Sequence, residues 1–174
     1  YGIGIGPGDP EHITLKAVRM MKEVDVIAAP GTDVKETLAY RIAVQAVPEI
    51  EQKEMLPIDM PMTMDKELLL KAHKSGAETI EKVLAEGKSL GFITLGDTTV
   101  YSTFSYLEKI VKNHGFETVY ISGITSFCAA AASIGIPLTE WQEPLHVIPA
   151  VHQLDDKLAL DGSYVLMKSG RQMP

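Results

Sequence analysis

Residues Tyr1-Gly2-Ile3-Gly4-Ile5-Gly6-Pro7-Gly8-Asp9-Pro10 decide the fold. A short apolar stretch runs into a loop with three glycines in five residues, Gly4, Gly6 and Gly8. Ile13, Ala17, Met20, Met21 and Val24 then recur at helical spacing. Strand, glycine loop and helix in that order are the opening unit of an α/β protein. Glycine lets backbone come close to a ligand. A dinucleotide site does not fit: the fingerprint G-x-G-x-x-G needs a third glycine where Pro7 or Asp9 stands. Asp9 would also put negative charge where a pyrophosphate should sit. The plainer reading is a tight turn, with Asp9 capping the following helix.

The alternation continues outward from this unit. Asp25 to Ala29 is expected as a buried strand stopped by Pro30-Gly31, and Leu38, Ile42, Ala46 and Val47 as a helical stripe. Leu56 to Met60 is limited to an edge strand by Pro57 and Pro61. A long helix is predicted from Asp65 to Ala85, with Leu68, Ala72, Gly76, Thr79, Ile80 and Val83 on one face. Leu90 to Leu95 reads as a strand, and Val100, Phe104, Leu107 and Val111 as the next stripe. After Gly115 the pattern restarts with strand Thr118 to Ile121, small-residue helix Ser126 to Ser133, and strands Leu145 to Pro149 and Tyr164 to Lys168. Two α/β domains are expected, 1–115 and 116–174. With three strands, the C-terminal domain is expected to be incomplete at its C-terminal end, and the polypeptide to continue.

Two further loops repeat the first. Leu95-Gly96-Asp97 ends a buried strand, where ligands of open parallel sheets bind. Asp97 either meets a cationic or hydroxyl-bearing ligand or caps the next helix through Thr99 or Val100. Gly123-Ile124-Thr125-Ser126 offers hydroxyls and backbone groups at a helix start, and the small residues after it allow close approach of a neighbouring element or a ligand.

Composition narrows the function. Hydrophobic residues are 45% and charged residues 22% of the 174, ordinary for a globular protein. No apolar run approaches the roughly 20 residues that span a bilayer, so no membrane partner is expected. The net charge is −7, and Lys and Arg are scattered singly, which disfavours nucleic acid. His12, His73, His114, His146 and His152 show no metal spacing, so no metal site is expected. The single cysteine, Cys128, rules out an internal disulfide and fits a reducing compartment, hence a cytoplasmic location.

Taken together, the three loops resemble the tetrapyrrole methylases. That family opens with G-x-G-P-G-D, here Gly4-Ile5-Gly6-Pro7-Gly8-Asp9; its second loop has the form L-G-D-P, here Leu95-Gly96-Asp97-Thr98. Its third has the form P-G-I-T, here Ser122-Gly123-Ile124-Thr125. Thr98 and Ser122 stand where the family usually has proline, departures expected to loosen the loops. Thr99 to Tyr106, Thr125 to Ala131, Leu145 to Ala150 and Val165 to Lys168 are similar to the subgroup that methylates C20 of precorrin-2.

The resemblance implies a tetrapyrrole methylase fold, two α/β domains with the methyl donor between them, usually in a homodimer. It implies S-adenosyl-L-methionine as the methyl donor, S-adenosyl-L-homocysteine as its product, and a small-molecule tetrapyrrole, precorrin-2 or cobalt-factor II, as substrate in cobalamin biosynthesis. It places Pro7, Leu95, Gly96, Asp97, Val100, Thr125, Ser126, Met167 and Lys168 against the methyl donor. No catalytic residue is assigned: Asp97, Tyr101 and His152 are each conceivable as a base for the proton lost from C20. Lys168 and Arg171 are candidates for the macrocycle's carboxylates, or else a solvated rim. Other relatives with this fold methylate a different tetrapyrrole carbon, ribosomal RNA or a modified histidine. A non-catalytic nucleotide-binding module is the reading from another class.

Overall fold

A computed structural model describes residues 1–61, 63, 65–150 and 160–168. His152 and Arg171 lie outside them. The chain divides into two compact units, Tyr1–Ser126 and Phe127–Pro174.

The first unit is a five-stranded sheet in the order β3-β2-β4-β1-β5. Its strands are β1 (Gly2–Gly4), β2 (Val26–Pro30), β3 (Glu54–Ile58), β4 (Leu90–Thr94) and β5 (Tyr120–Ile121). Every pairing is parallel, and Ile3 of β1 sits beside Ile93 of β4 and Ile121 of β5. Parallel strands buried on both faces need apolar residues at successive positions. Val26, Ala28, Leu90 and Phe92 turn to one face, and Ile3, Ile27, Ala29 and Ile93 to the other. Helices α1 (Leu15–Glu23) and α2 (Leu38–Ala46) cover the second face through Ala17, Met21, Ile42 and Ala43. Helices α3 (Lys66–Ala85) and α4 (Phe104–Asn113) cover the first through Ala77, Ile80, Phe104 and Leu107.

Local signals set the helix starts. Thr14 caps α1 by accepting from Ala17 N at 3.2 Å, and Thr37 does the same for α2 from Tyr40 N. Asp65 caps α3 by accepting from Glu67 N and Leu68 N. Asp9 caps a short 3-10 turn, Pro10–His12, rather than α1. As its prolines dictate, β3 lies at an edge.

The differences from the expected pattern fall at the loops. Val100 is not helical: α4 begins at Phe104, and 95–103 form an extended loop. The first compact unit runs to Ser126, beyond the expected boundary at Gly115, because β5 pairs with β1 and closes the sheet. The second unit carries β6 (Leu145–Pro149) and β7 (Ser163–Met167), a parallel pair. Helix α5 (Ser126–Ile134) leads into it.

Candidate functional site

Because the sheet is parallel, the loops after β1, β4 and β5 leave from the same end, the end where open α/β sheets bind ligands. In the structure they touch one another. Gly6 and Gly96 form a two-way bridge: Gly6 N donates to Gly96 O at 3.2 Å and Gly96 N to Gly6 O at 2.7 Å. Gly96 makes its turn at φ +70°, where only glycine is unstrained.

The third loop lies on top of this bridge. A Cβ at Gly123 would come 2.2 Å from Gly96 O and 2.8 Å from Gly4 C. A Cβ at Gly4 would come 2.7 Å from Gly123 N and 2.8 Å from Gly96 O. These are backbone atoms, which cannot swing aside. Gly4, Gly96 and Gly123, one from each loop, thus meet in a single backbone junction.

Asp97 ties the junction together. It is 5% exposed. Its Oδ1 accepts from Thr99 N at 2.7 Å and from the Thr99 hydroxyl. Its Oδ2 accepts from Ser122 Oγ at 2.5 Å and Gly123 N at 2.8 Å. A carboxylate offers about four acceptor positions, and all are taken. Burial pushes the Asp97 pKa up, but the bonds from Ser122, Thr99 and Gly123 outweigh it and hold the group below its ordinary value. Asp97 is therefore ionised. With its oxygens engaged and its pKa lowered it is a poor proton acceptor, which removes it from the three candidate bases.

The two departures from proline gain contacts instead of loosening the loops. Ser122 supplies one of the Asp97 bonds, and the buried Thr98 hydroxyl donates to Ile121 O at 3.2 Å. Thr14 Oγ1 adds a bond to Ser122 O at 3.5 Å, joining the start of α1 to the third loop. Ser122→Ala and Thr98→Val are each expected to lower stability by about 1 kcal/mol. Equilibrium urea unfolding of each variant reads that directly, and unchanged midpoints would mean that these hydroxyls are equally well served by water.

Of the residues expected at the site, Pro7, Leu95, Gly96, Asp97, Val100 and Thr125 lie on these loops and Ser126 is the first residue of α5, all within the first unit. Leu95 is 42% exposed. Met167 and Lys168 lie at the end of β7 in the second unit, where Met167 O accepts from Ala150 N at 2.7 Å and Lys168 has φ +58°. Tyr101 sits on the second loop at φ +49°.

Among the described residues, just two buried side-chain polar atoms have no hydrogen-bond partner, Thr125 Oγ1 and His12 Nδ1. Thr125 is on the third loop. His12 follows the first, its Cβ about 3.0 Å from where a Cβ on Gly6 would stand. Sequence reasoning left His12 as an ordinary histidine and missed Gly4, Gly123 and Ser122 as the joint between loops. No group of three metal-ligating side chains clusters among the described residues, and no helix among them is long and apolar enough to cross a membrane.

The parallel sheet, with glycine loops joined beyond its carboxyl ends, defines a parallel α/β domain. The chain belongs to the tetrapyrrole (corrin/porphyrin) methylases, whose family pattern matches residues 1–174. It is 38% identical over 170 residues to a probable cobalt-precorrin-2 C(20)-methyltransferase of Methanocaldococcus jannaschii, covering 97% of this chain and 71% of that one. It is 32% identical over 173 residues to the cobalt-precorrin-2 C(20)-methyltransferase of Salmonella typhimurium, with the same coverage of both chains. A uroporphyrin-III C-methyltransferase from Thermus thermophilus, solved with S-adenosylhomocysteine, shares the fold at TM-score 0.60 and 23% identity. That match covers 87% of this chain and 59% of the solved one.

Proposed function

We propose that the protein transfers a methyl group from S-adenosyl-L-methionine to C20 of precorrin-2 or cobalt-factor II, a step of cobalamin biosynthesis. The observation that carries this reading is the junction of Gly4, Gly96 and Gly123. The three motifs that mark the family in sequence are also one physical object. The C20 position follows the named relatives, which match nearly the whole of this chain.

The loop residues fit a methyl donor of this kind. Leu95 presents an apolar surface, and Thr125 Oγ1 is a buried hydroxyl with no protein partner. Asp97 keeps a net negative charge at the loops, which favours a sulfonium cation. Pro7, Leu95, Gly96, Val100, Thr125 and Ser126 would hold the bound molecule; Met167 and Lys168 remain candidate binding residues by the family resemblance. Asp97 serves indirectly, by fixing the second loop to the third. When bound, the sulfonium supplies an already activated methyl group. The residues of this chain then act by orienting the two reactants and excluding water. A cytoplasmic homodimer with two α/β domains, acting on a small-molecule tetrapyrrole, completes the proposal.

Calorimetric titration tests the choice of methyl donor. S-adenosylhomocysteine is expected to bind at least a hundredfold more tightly than NAD. Equal or reversed affinities would return the chain to the class of generic nucleotide-binding modules.

A further inference from the structure

The strand order β3-β2-β4-β1-β5 parts the loops between β2 and β4. From β2 the chain turns toward β3 and away from β4, through α2 on the second face. From β4 it turns toward β5 and away from β2, through α4 on the first face. An open parallel sheet takes its ligand in the crevice where neighbouring loops part in this way. Between β4 and β1 the loops run toward each other instead, and there Gly6 and Gly96 meet. One wall of the crevice is the second loop, with Leu95, Gly96 and Asp97. The other is residues 31–37, the loop after β2.

That other wall is fixed by its own bonds. Val34 is buried in the core, and Gly31 N donates to Ile58 O at 2.8 Å. Lys35 N donates to Asp33 Oδ1 at 2.9 Å, and the Thr37 hydroxyl to Val34 O at 2.6 Å. Glu36 pairs with Arg41 at 2.5 Å. Lys35 stands exposed between these neighbours, and among the described residues its ammonium has no ion pair. Lys35 is also the only Lys or Arg on the five loops that leave the carboxyl ends of the strands. With His neutral, the other charged side chains on those loops are all carboxylates.

We propose that Lys35 binds a carboxylate on the rim of the macrocycle, so that the substrate lies over the crevice between β2 and β4, beside the second loop. The inference rests on the functional reading above and assigns the substrate side of the same site to a loop outside the three family motifs. A macrocycle carrying several carboxylates needs cations to hold it, and a charge-assisted bond is about twice as strong as a neutral one. A lysine ammonium on its flexible stem can follow a carboxylate as the ring settles. A macrocycle carboxylate placed on the other loops would meet like charge, so Lys35 also sets which way the ring lies.

Steady-state methyl transfer to precorrin-2 and cobalt-factor II tests this with the intact wild-type protein, Lys35→Gln, Lys35→Arg and Lys82→Gln. S-adenosylhomocysteine affinity and Tm are measured alongside. Lys82 is the control, in the last turn of α3 at the opposite end of the sheet. Lys35→Gln is expected to raise the macrocycle KM at least about tenfold, the loss of one charge-assisted bond, with kcat within about threefold. Its S-adenosylhomocysteine Kd should stay within about twofold of wild type and its Tm within about 2 °C, as for an exposed side chain. Lys35→Arg restores the cation and should bring KM back to near the wild-type value, and Lys82→Gln should leave KM unmoved. An unchanged KM in Lys35→Gln overturns the proposal. An equal rise in Lys82→Gln also overturns it, by showing an effect of net charge and not of contact. So does a KM that arginine fails to restore, or a loss of S-adenosylhomocysteine affinity as large as the rise in KM. If the wild-type protein binds S-adenosylhomocysteine but methylates neither macrocycle, the functional reading itself falls before any variant is compared, and the Lys35 proposal with it.

Discussion

Gly123→Ala is expected to destabilise the first unit by roughly 3 kcal/mol and to weaken S-adenosylhomocysteine binding by more than tenfold. The added methyl would lie 2.2 Å from Gly96 O and 2.8–2.9 Å from the backbone of Gly4. Relief requires the third loop to lift from the other two, which breaks the Gly123 N to Asp97 bond and opens the junction. Gly8→Ala is the control on the first loop: a Cβ there meets nothing within 4 Å. Its stability is expected within about 0.5 kcal/mol of wild type. Thermal and urea unfolding of the pair decide the matter. If both glycine variants melt like the parent, the junction is not a steric constraint, and the loops join by some looser means.

Asp97→Ala has the second large effect, for a different reason. Removing the carboxylate leaves the N–H groups of Thr99 and Gly123 and the hydroxyls of Thr99 and Ser122 without their acceptor in a buried place. Hydroxyls can turn to other partners, but backbone N–H groups cannot. The expected cost is about 3 kcal/mol, with loss of affinity for the methyl donor because the loops no longer hold their relative positions. Asp97→Asn keeps the shape, removes the charge and turns one acceptor into a donor. Because the folded pKa of Asp97 is depressed below 3.8, its contribution is fully present above that pH and is lost as pH falls through the folded value. The stability gap between wild type and Asp97→Asn should therefore be constant near neutrality and shrink in acid below about pH 4. A gap that stays flat into acid would mean that the ionised carboxylate is not the form that matters.

The order of strands and helices was legible because parallel strands and amphipathic helices write their periods directly into residues such as Val26 to Ala29 and Ile80 to Val83. Prolines at 57 and 61 placed β3 at an edge before any pairing was known. The candidate site was legible as three separate motifs. Their contact was not, because a glycine needed for close approach reads the same as one needed for a turn. Gly96 is the second kind, at φ +70°, whereas Gly4 and Gly123 are the first. Ser122 was misjudged for a related reason. Losing a proline suggests slack, yet the hydroxyl that replaced it bonds Asp97 from 25 residues away in sequence. The start of α4 was missed because Val100 continues a helical stripe that the backbone abandons for a loop running to Thr103.

Methyl transfer to C20 is tested most directly by following a labelled methyl group into the macrocycle. The protein is incubated with S-adenosyl-L-methionine carrying a carbon-13 methyl group and with precorrin-2 or cobalt-factor II in turn. The product is then read by mass and by carbon-13 NMR. The expected product from at least one of the two gains a single labelled methyl, bonded to C20. A labelled methyl on any other carbon would keep the family and contradict the position, and no label in either macrocycle would contradict the reaction itself.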